Sequence, residues 1–358
     1  MDIAIVGPAQ SGKTAVYTAL AHGHAQQGGD RRESVATVKI PDERLGKLAA
    51  LVGSKKVTPA EVRLYDLPAL FQEGRAASGE VAESLSRADG LILVARAFRR
   101  PDVPHARGDV DAARDIAEFE AEMLLHDLDI VERRLDKVDT TVRSAKPGER
   151  EAGQREQELL RRTRERLSAE RPLRDDTPAD DARGLSNYGL LSLKPLLIVV
   201  NLDEDDIGRA AEIESEYGER FGSAKTFVGS MCGRLEAELA ELEPDEAAAF
   251  RRELGAGEPA APQLLSRAQE MLGLITFFTA GETEARAWPL PAGSTALEAA
   301  GRIHSDIERG FIRAETIGWE ELLQFGSEAE ARKHGRLRVE GKGYVVQDGD
   351  VLHVLFSV

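Results

Sequence analysis

Two glycines and a lysine near the start of the chain are spaced to wrap a phosphate group. Residues 7–14 read Gly-Pro-Ala-Gln-Ser-Gly-Lys-Thr, which fits G-x-x-x-x-G-K-[ST]. The glycines allow backbone N–H groups to turn inward, and Lys13 brings a cation to the β- and γ-phosphates. We therefore predict a P-loop that binds a purine nucleoside triphosphate. The predicted contacts are Gly7, Gln10, Ser11, Gly12, Lys13, Thr14 and Ala15.

A hydroxyl and a carboxylate could complete this site with Mg²⁺. The Thr14 hydroxyl is suited to ligate the ion, and Asp66 ends an alternating strand where a Walker-B carboxylate would reach Mg²⁺ through water. A lone aspartate at a strand end commonly serves as a cap or turn residue, but the upstream P-loop favours the metal role. We predict Thr14 and Asp66 as metal ligands, and Lys13 and Asp66 as catalytic residues.

Two later loops are candidates for contact with the base. Asn201-Leu202-Asp203-Glu204 lies where GTPases carry N-K-x-D, whose aspartate accepts hydrogen bonds from guanine. Here Glu204 fills the fourth place with a longer side chain, which makes a guanine preference doubtful. The alternative is an Asx turn or a helix cap. The other loop contains Cys232 and Gly233, which we expect to touch the base through backbone, with a chemically passive thiol.

Strands alternating with helices must position these residues. Short apolar runs at 3–6, 91–95 and 196–200, with a weaker one at 226–228, are typical of buried parallel strands. Helical stretches lie between them, so the sequence predicts an α/β domain with a mostly parallel sheet.

An insertion at 109–184 interrupts the sheet. Its apolar residues recur at spacings of four and three, as in a coiled coil. They are Ala117, Ala121, Leu124, Leu128, Val131, Leu135, Val138 and Val142. The helix should break at 144–148 and a second helix should cover about 149–169, followed by a loop at 171–184. We favour a projecting helical hairpin over a helical subdomain packed on the core.

The C-terminal residues 274–358 predict a compact α+β module. Strands are expected at 274–280, 285–290 and 344–356, with a helix at 296–303. Asp348-Gly349 is a strong hairpin signal between residues 344–346 and 351–354.

Composition narrows the function class. The net charge of −16 argues against a broad electrostatic nucleic-acid binder, although a local basic face could touch RNA. No apolar run is long enough for a membrane helix, and the N-terminus does not read as a signal peptide. The single cysteine cannot form an internal disulfide. We expect a cytoplasmic protein without membrane or DNA partners.

The chain resembles the YchF-type members of the Obg group of P-loop GTPases. The resemblance is closest in Phe277-Phe278-Thr279-Ala280-Gly281, Arg286-Ala287-Trp288 and the runs 299–306, 310–315 and 344–351. It extends to 41–45, 55–60 and Asn201 with Glu204. It implies a Ras-like G domain in two parts (1–108 and 185–273), a coiled-coil insertion (109–184) and a β-grasp-like TGS domain (274–358). It also implies ribosome association and, from the N-x-x-E pattern, a preference for ATP over GTP.

Several positions depart from the family pattern. Gln10 replaces an asparagine and Thr14 a serine, and Leu67-Pro68-Ala69 stands where the family has x-A-G after Asp66. Leu70 occupies the place of the water-positioning glutamine of classical GTPases, a glutamine that the family also replaces with an apolar residue. The following glycine run is thinned to Gly74 and Gly79, and switch I is shortened near Asp30. These departures affect γ-phosphate sensing and catalysis, so binding should survive better than turnover.

Two hypotheses follow. The first is a slow, ATP-preferring NTPase that associates with the ribosome or RNA through the TGS domain and the helical arm in translation or stress. The second is a nucleotide-binding module that has lost hydrolysis and acts as a scaffold or signalling protein. A metabolite kinase lacks an obvious second substrate site.

Overall fold

The computed structural model describes residues 1–21, 34–68, 70, 79–105, 107–144 and 146–357. Its strands are β1 Asp2–Val6, β2 Ser34–Ile40, β3 Val57–Thr58, β4 Ala60–Asp66, β5 Gly90–Arg96, β6 Leu196–Asn201, β7 Thr226–Met231, β8 Leu274–Ala280, β9 Ala285–Pro291, β10 Phe311–Gly318, β11 Arg338–Glu340 and β12 Asp350–Phe356. Its α-helices are α1 Lys13–Leu20, α2 Glu43–Val52, α3 Gly79–Arg87, α4 Ala112–Ser144, α5 Pro147–Ser168, α6 Leu173–Asp176, α7 Ala179–Leu185, α8 Ala210–Phe221, α9 Gly233–Leu239, α10 Pro244–Leu254, α11 Ala260–Met271, α12 Ala296–Ile303, α13 Ser305–Arg309, α14 Trp319–Phe325 and α15 Glu328–Lys333.

The first sheet has the order β2-β4-β1-β5-β6-β7. Strand β1 pairs in parallel with β4 and β5, and β6 pairs in parallel with β5 and β7. Every residue of β5 and β6 is buried, as expected of central strands covered on both faces. Ile5 pairs with Asp66, and Asn201 pairs with Arg96 and Met231. The strand ends that carry the predicted site residues therefore lie along one edge of the sheet.

The strands predicted from apolar runs are all present. The sequence analysis missed β2, whose residues alternate between buried and exposed positions and include exposed Val35.

The predicted helical hairpin is formed by α4, which ends at Ser144, and α5, which begins at Pro147. Its buried residues Leu124, Val131, Leu135 and Val138 pack with Leu160 and others of α5 and the return segment. The expected heptad was wrong at its start, because Ala117 and Ala121 are exposed. Instead Ile116, Phe119 and Met123 pack with the apolar residues of the first sheet. The beginning of α4 thus belongs to the apolar core of the first sheet.

The return segment is also more regular than predicted. Helices α6 and α7 occupy much of the range 171–184 expected to be a loop. Leu173 and Leu185 are buried in the same cluster as the arm residues. Helices α6 and α7 therefore pack against α4 and α5 through this apolar cluster.

The second sheet has the order β11-β10-β12-β8-β9-β3. The predicted helix α12 begins at a capping box formed by Thr295 and Glu298. The predicted hairpin at Asp348-Gly349 was wrong, since β12 pairs antiparallel with β10 and residues 344–348 form no strand. The Asp348 carboxylate instead accepts hydrogen bonds from the Thr276 N–H and from Arg44.

The chain divides into two compact units, Met1–Val38 with Arg63–Arg267 and Lys39–Val62 with Ala268–Val358. Residues 39–62, which the sequence-based division grouped with the G domain, lie in the unit of the C-terminal sheet. We propose the division into a two-part G domain, a helical insertion and a C-terminal domain, with residues 39–62 assigned to the unit of the C-terminal domain. Among the helices of the described ranges, none has the length and apolarity needed to cross a membrane.

Candidate nucleotide-binding site

The loop between β1 and α1 depends on its two glycines. Gly7 has φ 145°, and a Cβ there would come 2.6 Å from the Val94 carbonyl oxygen. Gly12 has φ 88°, and its Cβ would lie 2.1 Å from Nδ2 of Asn201. Neither position accommodates a larger side chain without a shift of the backbone or of Asn201. The loop is therefore held against the sheet with its backbone close to β5 and β6.

Lys13 already reaches across this loop. Its Nζ donates to the carbonyl oxygens of Gly7 (3.1 Å) and Pro8 (2.9 Å). Burial lowers the pKa of the Lys13 ammonium, and the carboxylate of Asp66 opposes that shift. A partly desolvated cation at the mouth of a loop attracts an anion strongly, because little water screens it.

The first turn of α1 supplies further donors. In the first turn of a helix the backbone N–H groups have no intrahelical acceptor, so those of Lys13, Thr14 and Ala15 are available to an anion. Ser11 is buried, and its carbonyl oxygen accepts from Asn201. Gln10 has φ 61°, a left-handed conformation that turns the loop.

Thr14 and Asp66 are brought together as predicted. The Thr14 Oγ1 hydroxyl donates to Oδ2 of Asp66 at 2.9 Å. Burial raises the pKa of Asp66, against the hydrogen bond from Thr14 and the charge of Lys13. A hydroxyl and a carboxylate are oxygen ligands, and Mg²⁺ is commonly held by one or two such protein groups together with phosphate oxygens. The residues present therefore fit the ion.

Asn201 connects the P-loop to the loop that contains Cys232 and Gly233. Its Nδ2 donates to the Ser11 carbonyl oxygen at 3.0 Å, and its Oδ1 accepts from the Gly233 N–H at 2.9 Å. The side chain is buried, so both hydrogen bonds are shielded from water. Asn201 thus acts on the loops that surround the nucleotide position.

Asp203 and Glu204 have different environments. The Asp203 carboxylate accepts from the backbone N–H groups of Arg99 (3.0 Å) and Glu204 (2.9 Å), and it caps the short 3-10 helix Glu204–Arg209. The Glu204 side chain is 48% exposed and lies 4.0 Å from Arg234. Asp203 is therefore engaged with backbone, whereas Glu204 is held only by a loose ion pair at the surface.

Cys232 and Gly233 form the start of α9. Cys232 is buried, and burial raises the pKa of its thiol. A raised pKa keeps the sulfur in its thiol form, which is inert. A Cβ on Gly233 would lie 3.0 Å from Cγ2 of Val16, so the helix passes close to α1.

Sequence reasoning missed the segment that follows β5. The N–H groups of Ala97 and Phe98 donate to the Asn201 carbonyl oxygen. Beneath them, the buried Arg96 donates to the carbonyl oxygens of Phe98 and Val103. An arginine at the end of an apolar strand was the available signal. The departures at Ala69, Gly74 and near Asp30 lie outside the described residues.

Comparison with known proteins identifies the family. Residues 274–357 match the family model YchF-GTPase_C, whose description reads "Protein of unknown function (DUF933)". The Bacillus subtilis (strain 168) protein named "Ribosome-binding ATPase YchF" is 36% identical over 364 residues, covering 99% of this chain and 98% of the relative. The chain belongs to the YchF family.

Other YchF relatives agree. The Escherichia coli O157:H7 protein of the same name is 32% identical, with 99% of this chain and 98% of the relative covered. The solved structure titled "Structure of the Schizosaccharomyces pombe YchF GTPase" matches with a TM-score of 0.84 and 26% identity, covering 99% of this chain and 97% of that chain. These YchF matches confirm the predicted fold class, a P-loop NTPase with a C-terminal domain.

Proposed function

We propose that this chain is a ribosome-associated, cytoplasmic NTPase that prefers ATP to GTP and hydrolyses it slowly. The observation that carries the nucleotide part is the arrangement of Lys13, Thr14 and Asp66 around the glycine-rich loop. The names of the bacterial relatives, ribosome-binding ATPases, support the ribosomal part.

The roles of the residues follow from their positions. The N–H groups at the start of α1 receive the phosphates, and Lys13 exchanges its carbonyl partners for phosphate oxygens. Thr14 and Asp66 would hold Mg²⁺, with Thr14 offering an oxygen lone pair while its O–H still donates to Asp66, and the ion would supply positive charge to the phosphates. Asn201 keeps the two loops at a fixed distance.

Slow turnover is supported by the residues after Asp66. Leu67 and Leu70 are both buried in the apolar core, with exposures of 1% and 3%. Neither can orient an attacking water as a glutamine does in classical GTPases. The same observation favours the alternative that the chain binds nucleotide without hydrolysing it and acts as a scaffold or signalling protein.

A preference for adenine is supported by the loop at residues 201–204. Asp203 already accepts two backbone N–H groups, whereas the Glu204 carboxylate is held by a single loose ion pair and can turn to the predicted base position.

The test is a titration of the purified protein with ATP and GTP, with and without Mg²⁺, followed by phosphate release and by co-sedimentation with ribosomes. ATP binding with slow release and ribosome association supports the proposal. Binding with no release supports the scaffold, and absence of binding overturns both.

A further inference from the structure

The C-terminal sheet ends in an edge strand contributed by residues 39–62. Strand β3 pairs in parallel with β9, with Val57 opposite Ala285 and Thr58 opposite Arg286. Two backbone hydrogen bonds of 2.9 Å extend the pairing, from the Lys55 N–H to the Glu282 carbonyl oxygen and from the Ala285 N–H to the Lys56 carbonyl oxygen. Because side chains alternate along strands, Lys56, Thr58, Arg286 and Trp288 share one face.

An arginine on this face lies over the ring of a tryptophan. The Arg286 guanidinium carbon is 4.1 Å from the centre of the Trp288 ring. The ring is held in place, since its Nε1–H donates to Thr279 at 3.0 Å and it stacks beside Phe277 with centroids 6.2 Å apart. The guanidinium is thereby oriented before any ligand arrives.

The charge of this face is positive. The carboxylate of Glu284 on this face accepts from Thr58 (2.5 Å) and lies 2.9 Å from Nζ of Lys56, and these bonds lower its pKa. Arg286 forms no ion pair with any described residue. Arg302, at the end of α12, donates only to the Pro289 carbonyl oxygen among the described contacts. Among the described residues, Arg286 and Arg302 therefore form no ion pair, although the charge of Arg286 also contributes to the lowered pKa of Glu284.

We propose that this face, formed by Lys56, Arg286, Trp288 and Arg302, binds single-stranded RNA of the ribosome; this rests on the proposed ribosome association. Phosphate groups bind Arg286 and Arg302, and an unstacked base lies on the guanidinium plane that Trp288 supports. An acidic protein segment could use the cations but has no need of a stacking plane, so the arrangement favours RNA. The chain carries a net charge of −16, so its RNA contact must be a local surface of this kind.

The proposal is tested on the full chain with a double variant, Arg286→Ala with Arg302→Ala. The matched control is Arg313→Ala on β10, an exposed arginine that also has no ion pair among the described residues. Binding of a short unstructured RNA is measured by fluorescence anisotropy over a salt series. We expect at least a tenfold loss of affinity, and a slope of log K against log salt that is smaller by about 1.4 for two lost phosphate contacts. The control should bind as the parent does, and thermal unfolding reports whether the double variant is folded.

A single variant, Trp288→Phe, isolates the stacking plane without changing the charge. It should weaken RNA binding and leave the salt slope unchanged. The same proteins are then co-sedimented with ribosomes.

Each outcome decides a different point. RNA binding equal to the parent in the double variant overturns the proposal. Loss of ribosome association with RNA binding intact shows that the face contacts a ribosomal protein, which also overturns it. A parent that binds RNA through this face but does not sediment with ribosomes overturns the proposed function and leaves the RNA site standing.

Discussion

The hydroxyl of Thr14 donates to the carboxylate of Asp66 at 2.9 Å, joining the first turn of α1 to the end of β4. The two predicted Mg²⁺ ligands therefore satisfy each other. The Thr14 oxygen can keep this hydrogen bond and still offer a lone pair to the ion. In that arrangement Asp66 must be charged, although burial disfavours its charge.

Asp66→Asn should therefore stabilise the nucleotide-free protein and impair Mg²⁺-dependent binding. Because the pKa of Asp66 is raised, the folded state holds its proton to higher pH than the unfolded state. Stability from this group is present at low pH and is lost as pH rises through the raised pKa. The variant's advantage in free energy of unfolding should grow from pH 4 towards pH 7, as chemical denaturation can measure. An advantage that shrinks with pH contradicts the argument, and the Mg²⁺-dependent affinity should fall at least tenfold.

Lys13→Ala should abolish triphosphate binding without unfolding the protein. The side chain is the main cation facing the phosphates, whereas its structural contribution is two hydrogen bonds to loop carbonyls. Each is worth about 1 kcal/mol and is offset by the burial of the charge. Calorimetric titration with ATP should show a loss of at least 100-fold, and Lys225→Ala, an exposed lysine, is the control. Parent-like binding of either nucleotide by Lys13→Ala shows that the P-loop assignment is wrong.

Asn201→Ala should destabilise the protein by about 2 kcal/mol or more, since it leaves the buried Ser11 carbonyl and Gly233 N–H without their partner. Asn187→Ala at an exposed position should change the free energy of unfolding by less than about 0.5 kcal/mol. Urea denaturation compares the two. Similar values for both variants mean that Asn201 is not a structural link between the loops.

Base choice should favour ATP, and Glu204 should decide it. An acceptor displaced from the two guanine donors leaves a polar group unpaired, at about 1–3 kcal/mol or one to two decades in affinity. Glu204→Asp should narrow or reverse the gap in competition binding. Asp203→Ala should instead loosen the loop, because it removes acceptors for two backbone N–H groups. A GTP preference lost in Asp203→Ala and kept in Glu204→Ala contradicts this assignment.

The outer part of the arm should be dispensable for folding and nucleotide binding. Replacing residues 139–156 by a short Gly/Ser turn leaves Leu135 and Leu160 in their shared apolar cluster. We expect a soluble protein with parental ATP affinity. Replacing 109–171, by contrast, removes Ile116 and Phe119 from the core and should give aggregates. Aggregation of the short deletion shows that the outer arm is needed for the fold.

The P-loop, the Thr14–Asp66 pair and the central strands could be predicted because local spacing determines them. The tie from Asn201 to Ser11 and Gly233 could not, since it joins loops 190 and 32 positions apart. The Asp348-Gly349 turn shows the same limit. It has strong local hairpin chemistry, but Arg44 and Thr276 bind its aspartate and β12 pairs with β10 instead. The conformation at these positions depends on contacts with residues far away in the sequence, and a local sequence pattern carries no information about such contacts.

Helix α4 runs without interruption through 33 residues, and only its first turns pack against the first sheet. From Met123 to its end the helix rises about 30 Å at 1.5 Å per residue. It therefore works as a lever whose short end is embedded beside the nucleotide-binding strands. A tilt of about one degree at the embedded end moves the far end by about 0.5 Å. A small tilt of the helix caused by nucleotide exchange would thus produce a larger displacement at the far end of α4 and in any partner bound there.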